Sequence, residues 1–173
     1  MGSASDTAHA TTSFSLQNKH KKTIWLLGDT ITLKVTGNET NGKYSVWEIK
    51  SPSQSGPPPH YHSNLEEGFY VLEGNFSFQY NENIVNVSYG SFIHVPAGII
   101  HTYKNIGNST GKLLVIGTPA GFENFAEELG IVITDEGSFS SPSSPLNIDK
   151  IVEISNKHGI TFVPTLKTGS AMR

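Results

Sequence analysis

The chain has 173 residues, of which 16% are charged, with a net charge of −3 and no cysteine. That length holds one domain with a sizeable core and is short for two, and nothing in it supplies the clustered Lys and Arg that nucleic-acid phosphates require. No run approaches the roughly 20 apolar residues of a membrane span, and without thiols neither disulfides nor sulfur ligands enter.

The first residues, MGSASDTAHATTS, lack the basic start and apolar run of a secretory signal. They read as part of a disordered leader over residues 1–20, and the expected compartment is the cytoplasm. Lys19-His20-Lys21-Lys22 reads as a solvated surface run, and the Asn-X-Ser/Thr sequons at Asn38, Asn75, Asn86 and Asn108 as chance matches. From Thr23 the pattern becomes short strands between turn residues. Ile24–Leu27 and Thr30–Thr36 flank Gly28-Asp29, a pair with the chemistry of a two-residue hairpin turn. Ile31, Leu33 and Val35 alternate with polar residues, the period of a strand with one buried face. Gly37–Gly42 is a loop, Tyr44–Lys50 a strand, and the proline-rich Ser51–Pro59 an extended, irregular lead into His60.

Strands then come quickly: one beginning at Glu67, with Phe69–Leu72, and then Phe76–Tyr80, Ile84–Ser88, Ser91–Val95, His101–Asn105 and Lys112–Thr118. Short strands with a turn every few residues indicate an all-β sandwich or barrel, read here as a jelly roll over residues 21–119. The last third differs. Phe122–Leu129 has Phe122, Phe125, Ala126 and Leu129 at helical spacing with Gly130 as its stop. Glu136–Pro145 is Ser/Pro-rich and expected to be mobile, and Asn147–Lys157 is a second helix capped by Asn147. These two short helices form an extension over 120–165 that packs on the barrel, and 166–173 is a loose tail.

The chemistry concentrates between Gly56 and Asn105. His60 and His62 alternate with Tyr61, so on a strand they share one face, roughly 6.5–7 Å apart at Cα. A turn at Ser63–Glu66 leads to Glu67, and Pro96-Ala97-Gly98 delivers His101. Three imidazoles and one carboxylate suit Mn, Fe, Co, Ni, Cu or Zn. His94 reads as a surface residue or one standing behind the ligands, and His9, His20 and His158, without partners in sequence, as solvent-facing.

The stretches GPPPHYHSNLEEGFYVLEG and GSFIHVPAGIIHTYKN resemble the two motifs of the cupin superfamily, most closely its single-domain quercetin dioxygenase-like members. The resemblance implies a cupin jelly-roll β-barrel (double-stranded β-helix) with one divalent metal, Mn, Fe, Ni or Co before Zn or Cu, held by His60, His62, Glu67 and His101. It also implies a homodimer, to which exposed sheet edges lend themselves. One departure stands out: the usual pattern has Gly six residues before the first His, where this chain has Gln54, and Gly56 comes four before. In flavonol-cleaving cupins the matching glutamate takes a proton, so Glu67 is the expected catalytic residue. Phe69 and Val71 share a face with Glu67, and Tyr103 and Asn105 with His101, giving an aromatic-lined pocket for a small hydrophobic or phenolic substrate beside O₂. Phe122 and Phe125 either cover its mouth or plug an edge. The expected activity is a metal-dependent dioxygenase cleaving a flavonol-like or other enol-type substrate. Its competitors are a non-redox isomerase or polyketide cyclase, discriminated by metal identity and O₂ uptake, and a ligand-binding module without turnover.

Overall fold

The computed structural model describes residues 22–135, 137–142 and 147–163, so the expected leader, the tail, His9, His20 and most of the basic run lie outside the described residues. The Ser/Pro-rich stretch is described only over 137–142, without regular structure.

Among the described residues, twelve strands form two antiparallel sheets facing each other. The larger, in order β11-β1-β2-β3-β10-β5-β8, comprises β1 (Thr23–Leu26), β2 (Asp29–Val35), β3 (Ser45–Ser51), β5 (Glu66–Glu73), β8 (Phe92–Val95), β10 (Gly111–Thr118) and β11 (Ile131–Ile133). The smaller, in order β12-β4-β9-β6-β7, comprises β4 (His60–His62), β6 (Asn75–Tyr80), β7 (Asn83–Ser88), β9 (His101–Asn105) and β12 (Ile160–Phe162). This is a jelly roll. Its core is the space between the sheets, where Ile31, Trp47, Phe69, Val71, Leu113 and Val115 of the larger sheet meet Phe76, Phe78 and Tyr103 of the smaller. Strict alternation fixes which side chains enter: β3 reads buried at Ser45, Trp47, Ile49 and Ser51 and half-buried between them.

Three expectations shift. The β1–β2 turn lies at Leu27-Gly28, both with positive φ (51° and 104°), while Asp29 already belongs to β2 and pairs with Leu26. Hydrogen bonds from Ser55 and from the buried Tyr103 hold Asp29 on the strand. The loop after β2 winds into one helical turn, α1 (Gly37–Thr40), with the Thr36 amide donating to Glu39 Oε2 at 2.7 Å. Two short strands follow the barrel where the sequence suggested only helices. β11 extends the larger sheet, and β12 pairs with β4. The helices α2 (Phe122–Leu129) and α3 (Ile148–Lys157) form where their periodicity places them, and the Asn147 side chain accepts from the Lys150 amide at 3.0 Å.

The segment Ser51–Pro59 aims β4 at the barrel interior. It lies along β9, with Gln54 N donating to Asn105 O and Asn105 N to Ser55 O, both at 2.9 Å. Gly56 crosses so close to β9 that a Cβ there would stand 1.9 Å from the Tyr103 carbonyl oxygen, so only glycine fits. Gln54, at the position where glycine is usual, adopts the left-handed conformation itself, with φ at 65°. The turn survives the departure.

Candidate metal centre

Two strands of the smaller sheet and one of the larger bring the four predicted ligands together. His60 and His62 are the buried faces of β4, His60 pairs directly across with His101 of β9, and Glu67 reaches over from β5 of the opposing sheet. All four are buried, and one ligand atom from each lies within 4.8 Å of the other three. A further strand, β12, contributes no ligand but supports β4 from outside, with Ile160 opposite His62 and Phe162 opposite His60.

Backbone carbonyls set the imidazole tautomers. His60 Nδ1 donates to Pro58 O and His101 Nδ1 to Ile99 O, each at 2.9 Å. A carbonyl only accepts, so both Nδ1 atoms carry the proton and both Nε2 atoms face the cluster, the orientation metal-binding histidines adopt. Glu67 Oε2 stands 2.9 Å from His101 Nε2 and 3.1 Å from His62 Nε2. The second approach lacks hydrogen-bond alignment, leaving His62 Nε2 a buried nitrogen without a partner. An orphaned imidazole nitrogen beside two more and a carboxylate fits a cation: three neutral donors and one anionic one, with no sulfur.

The electrostatics agree. Burial, then the neighbouring His101 and His62, push His60 down to about 3, so it is a neutral ring at any physiological pH. Burial works against ionisation of Glu67, but the facing His62 and His101 outweigh it and hold the carboxyl well below its usual range. Burial would lower His101 too, yet its hydrogen bond to Glu67 prevails and raises it. A bound divalent cation would take the place of that shared proton.

Beside the cluster opens an apolar cavity of about 60 Å³, walled by Phe69, Tyr103, Phe122 and Phe125 among the expected pocket residues. Val71 and Asn105 do not reach it. Beyond Phe69 and Tyr103 the rings of Phe76 and Phe78 fill the gap between the sheets, with Phe69–Phe78 centroids 5.2 Å apart and Phe78–Tyr103 5.6 Å. Val71, one step further along β5, is therefore core. Asn105 serves the backbone instead: Nδ2 donates to Ser51 O and Ser109 O, and Oδ1 accepts from Gly107 N. Phe122 stacks on Trp47, centroids 4.2 Å apart and planes 13° off parallel, so α2 closes this side of the cavity. Trp47, Asp29, Ile160 and Phe162 also line it. None was singled out from the sequence, where only the alternation of β2 and β3 hinted at which residues turn inward. His94 is exposed and pairs with Glu66, whereas His158 is mostly covered, bonded to Glu128 at 2.7 Å and lying against Phe125.

Residues 47–117, from β3 to β10 and including all four predicted ligands, match the cupin domain family. That span is similar to a cupin domain. Over 106 residues it is 31% identical to quercetin 2,3-dioxygenase of Bacillus subtilis (strain 168), a match covering 61% of this chain and 31% of that protein. The chain thus spans about a third of the length of that curated relative. Among solved structures, the cupin domain resembles KdgF from Halomonas sp. (TM-score 0.54, 16% identity, 62% of this chain and 94% of that one). It is also similar to an RmlC-like cupin from Shewanella frigidimarina (TM-score 0.55, 18% identity, 65% and 96%). A third is the polyketide cyclase RemF from Streptomyces resistomycificus (TM-score 0.54, 19% identity, 62% and 80%). At these identities the structures speak for the fold alone.

Proposed function

We propose that this cupin is a metal-dependent dioxygenase acting on a small, flat, flavonol-like or other enol-type substrate. The observation that carries the reading is the set of four donor atoms within 4.8 Å of one another at the wall of an apolar, aromatic cavity. When bound, a divalent transition metal such as Mn, Fe, Co or Ni supplies Lewis acidity, up to two open positions for a chelating substrate, and redox partnership with O₂. The chain's own residues do the rest. His60, His62 and His101 present neutral nitrogens, two of them locked by backbone carbonyls, and Glu67, ionised, accepts the enol proton. Phe69, Phe122 and Phe125 hold the ring and exclude water. The likeness to a quercetin 2,3-dioxygenase supports the same assignment.

A second reading draws on cavity size. About 60 Å³ is small beside the roughly 300–1,000 Å³ of most ligand sites. A flavonol would require Phe122 and its helix to shift, whereas a smaller enol or keto compound, isomerised or cyclised without O₂, would not. Elemental analysis of protein purified without chelator, followed by O₂-uptake assays with flavonols and smaller enols, separates the two. Bound Mn, Fe, Co or Ni with substrate-dependent uptake is expected. Bound Zn with anaerobic turnover would replace the dioxygenase by the isomerase or cyclase, and tight binding with no turnover would leave a ligand-binding module.

A further inference from the structure

The cavity has a second polar feature that the metal cluster does not use. Asp29, 4% exposed, is the only carboxylate besides Glu67 among the described residues lining it. Ser55 Oγ donates to Asp29 Oδ1 at 2.7 Å and Tyr103 OH to Oδ2 at 2.6 Å. Both of these partners are neutral hydroxyls, and a carboxylate has room for about four hydrogen bonds. Burial, only partly offset by the hydroxyls of Tyr103, Ser55 and Ser51, raises the Asp29 carboxyl above its ordinary range, so a further donor would be welcome there. His60, His62 and Glu67 share the wall of this cavity with Asp29, and its volume of about 60 Å³ favours a single-ring ligand over a fused one. In the same wall the buried indole nitrogen of Trp47 has no hydrogen-bond partner among the described residues, a donor waiting for an acceptor on the ligand.

We propose that Asp29, clasped by Tyr103 and Ser55, is a specificity-determining residue that accepts a hydrogen bond from a distal hydroxyl of the substrate. The substrate class narrows accordingly to single-ring enols with a chelating oxygen pair at one end and a hydroxyl at the other. The inference rests on the chelating role proposed for the metal cluster.

A matched pair of ligands tests it. Kojic acid and allomaltol are the same 5-hydroxy-4-pyranone chelator and differ in one group, a hydroxymethyl in the first and a methyl in the second. Titration calorimetry with Zn(II)-loaded full-length protein needs no turnover, and a melting curve confirms that each variant is folded. Kojic acid is expected to bind about tenfold more tightly than allomaltol, the range of a hydrogen bond to a charged acceptor. In Asp29→Asn, which keeps the shape but not the charge, the preference should fall to about twofold or less. Equal affinity in the wild type, or an unchanged preference in a folded Asp29→Asn variant, would overturn the role of Asp29 while leaving chelation intact. Should neither ligand bind the metal-loaded protein, the chelating site itself is wrong. The wild-type comparison decides by itself if the variant does not fold.

Discussion

Tyr103 and Asn105 leave β9 on the same face, yet one lines the cavity and the other ties down backbone. Asn105 is fully buried, and its amide holds Ser51, Ser109 and Gly107 together. Asn105→Ala should lower stability by about 2–3 kcal/mol in urea unfolding, because it strands buried carbonyls and an amide, while the folded fraction keeps its ligand affinity. Glu67 is the opposite case. Glu67→Gln keeps the shape and one oxygen donor but removes the proton acceptor. Turnover should fall about 100-fold or more with metal content retained, and full turnover would end its role as base. That the four predicted ligands come together was legible because two-residue alternation puts His60 and His62 on one face and the resemblance to the cupin motifs joins Glu67 and His101 to them. Pocket depth was not legible. Alternation says which way Val71 and Asn105 point, but where the cavity stops depends on Phe76 and Phe78, which arrive from another strand.

At the scale of elements, the helices were readable from their apolar spacing and caps, and β12 was not. Three residues give no period, and Ile160–Phe162 becomes a strand only because β4 offers it an edge. The two helices are tied through Glu128 on α2, which accepts from Lys157 at 2.7 Å and pairs with His158 at the end of α3. Those hydrogen bonds hold the Glu128 carboxyl below its ordinary 4.5. A depressed folded-state value means stability that is complete above 4.5 and lost as pH falls through the folded value. Glu128→Gln should therefore melt earlier than the wild type at neutral pH, by a small margin because the pair is exposed to solvent. The two melting curves should converge as the medium is acidified below about pH 4, under the ordinary carboxyl value. A constant gap down to that pH would show that the tie contributes through packing and not through charge.

For the molecule as a whole, a metal held at the proposed centre would be a matter of stability as well as chemistry. Two strands of the smaller sheet and one of the larger converge at His60, His62, His101 and Glu67, so a cation there would link the two layers. At free metal a hundredfold above Kd the folded state gains about 2.7 kcal/mol, which for a chain of this size is a rise in Tm of roughly 5–10 °C. A thermal scan of chelator-treated protein with and without added Mn, Ni or Zn should show that rise, and replacing His62 by Ala should abolish it. Pairing of the last strand with the first ligand strand then bears on how the gene product can be trimmed. Every predicted metal-binding side chain lies within residues 47–117, the span that marks the family. The outer rail of β4, however, is supplied by residues 160–162, and Val163 N and Gly159 O bond the backbone on either side of it. A fragment ending after Thr118 would look complete by its motif and still leave His60 and His62 on a frayed border. The smallest piece expected to grip an ion is therefore longer than the smallest piece that can be recognised.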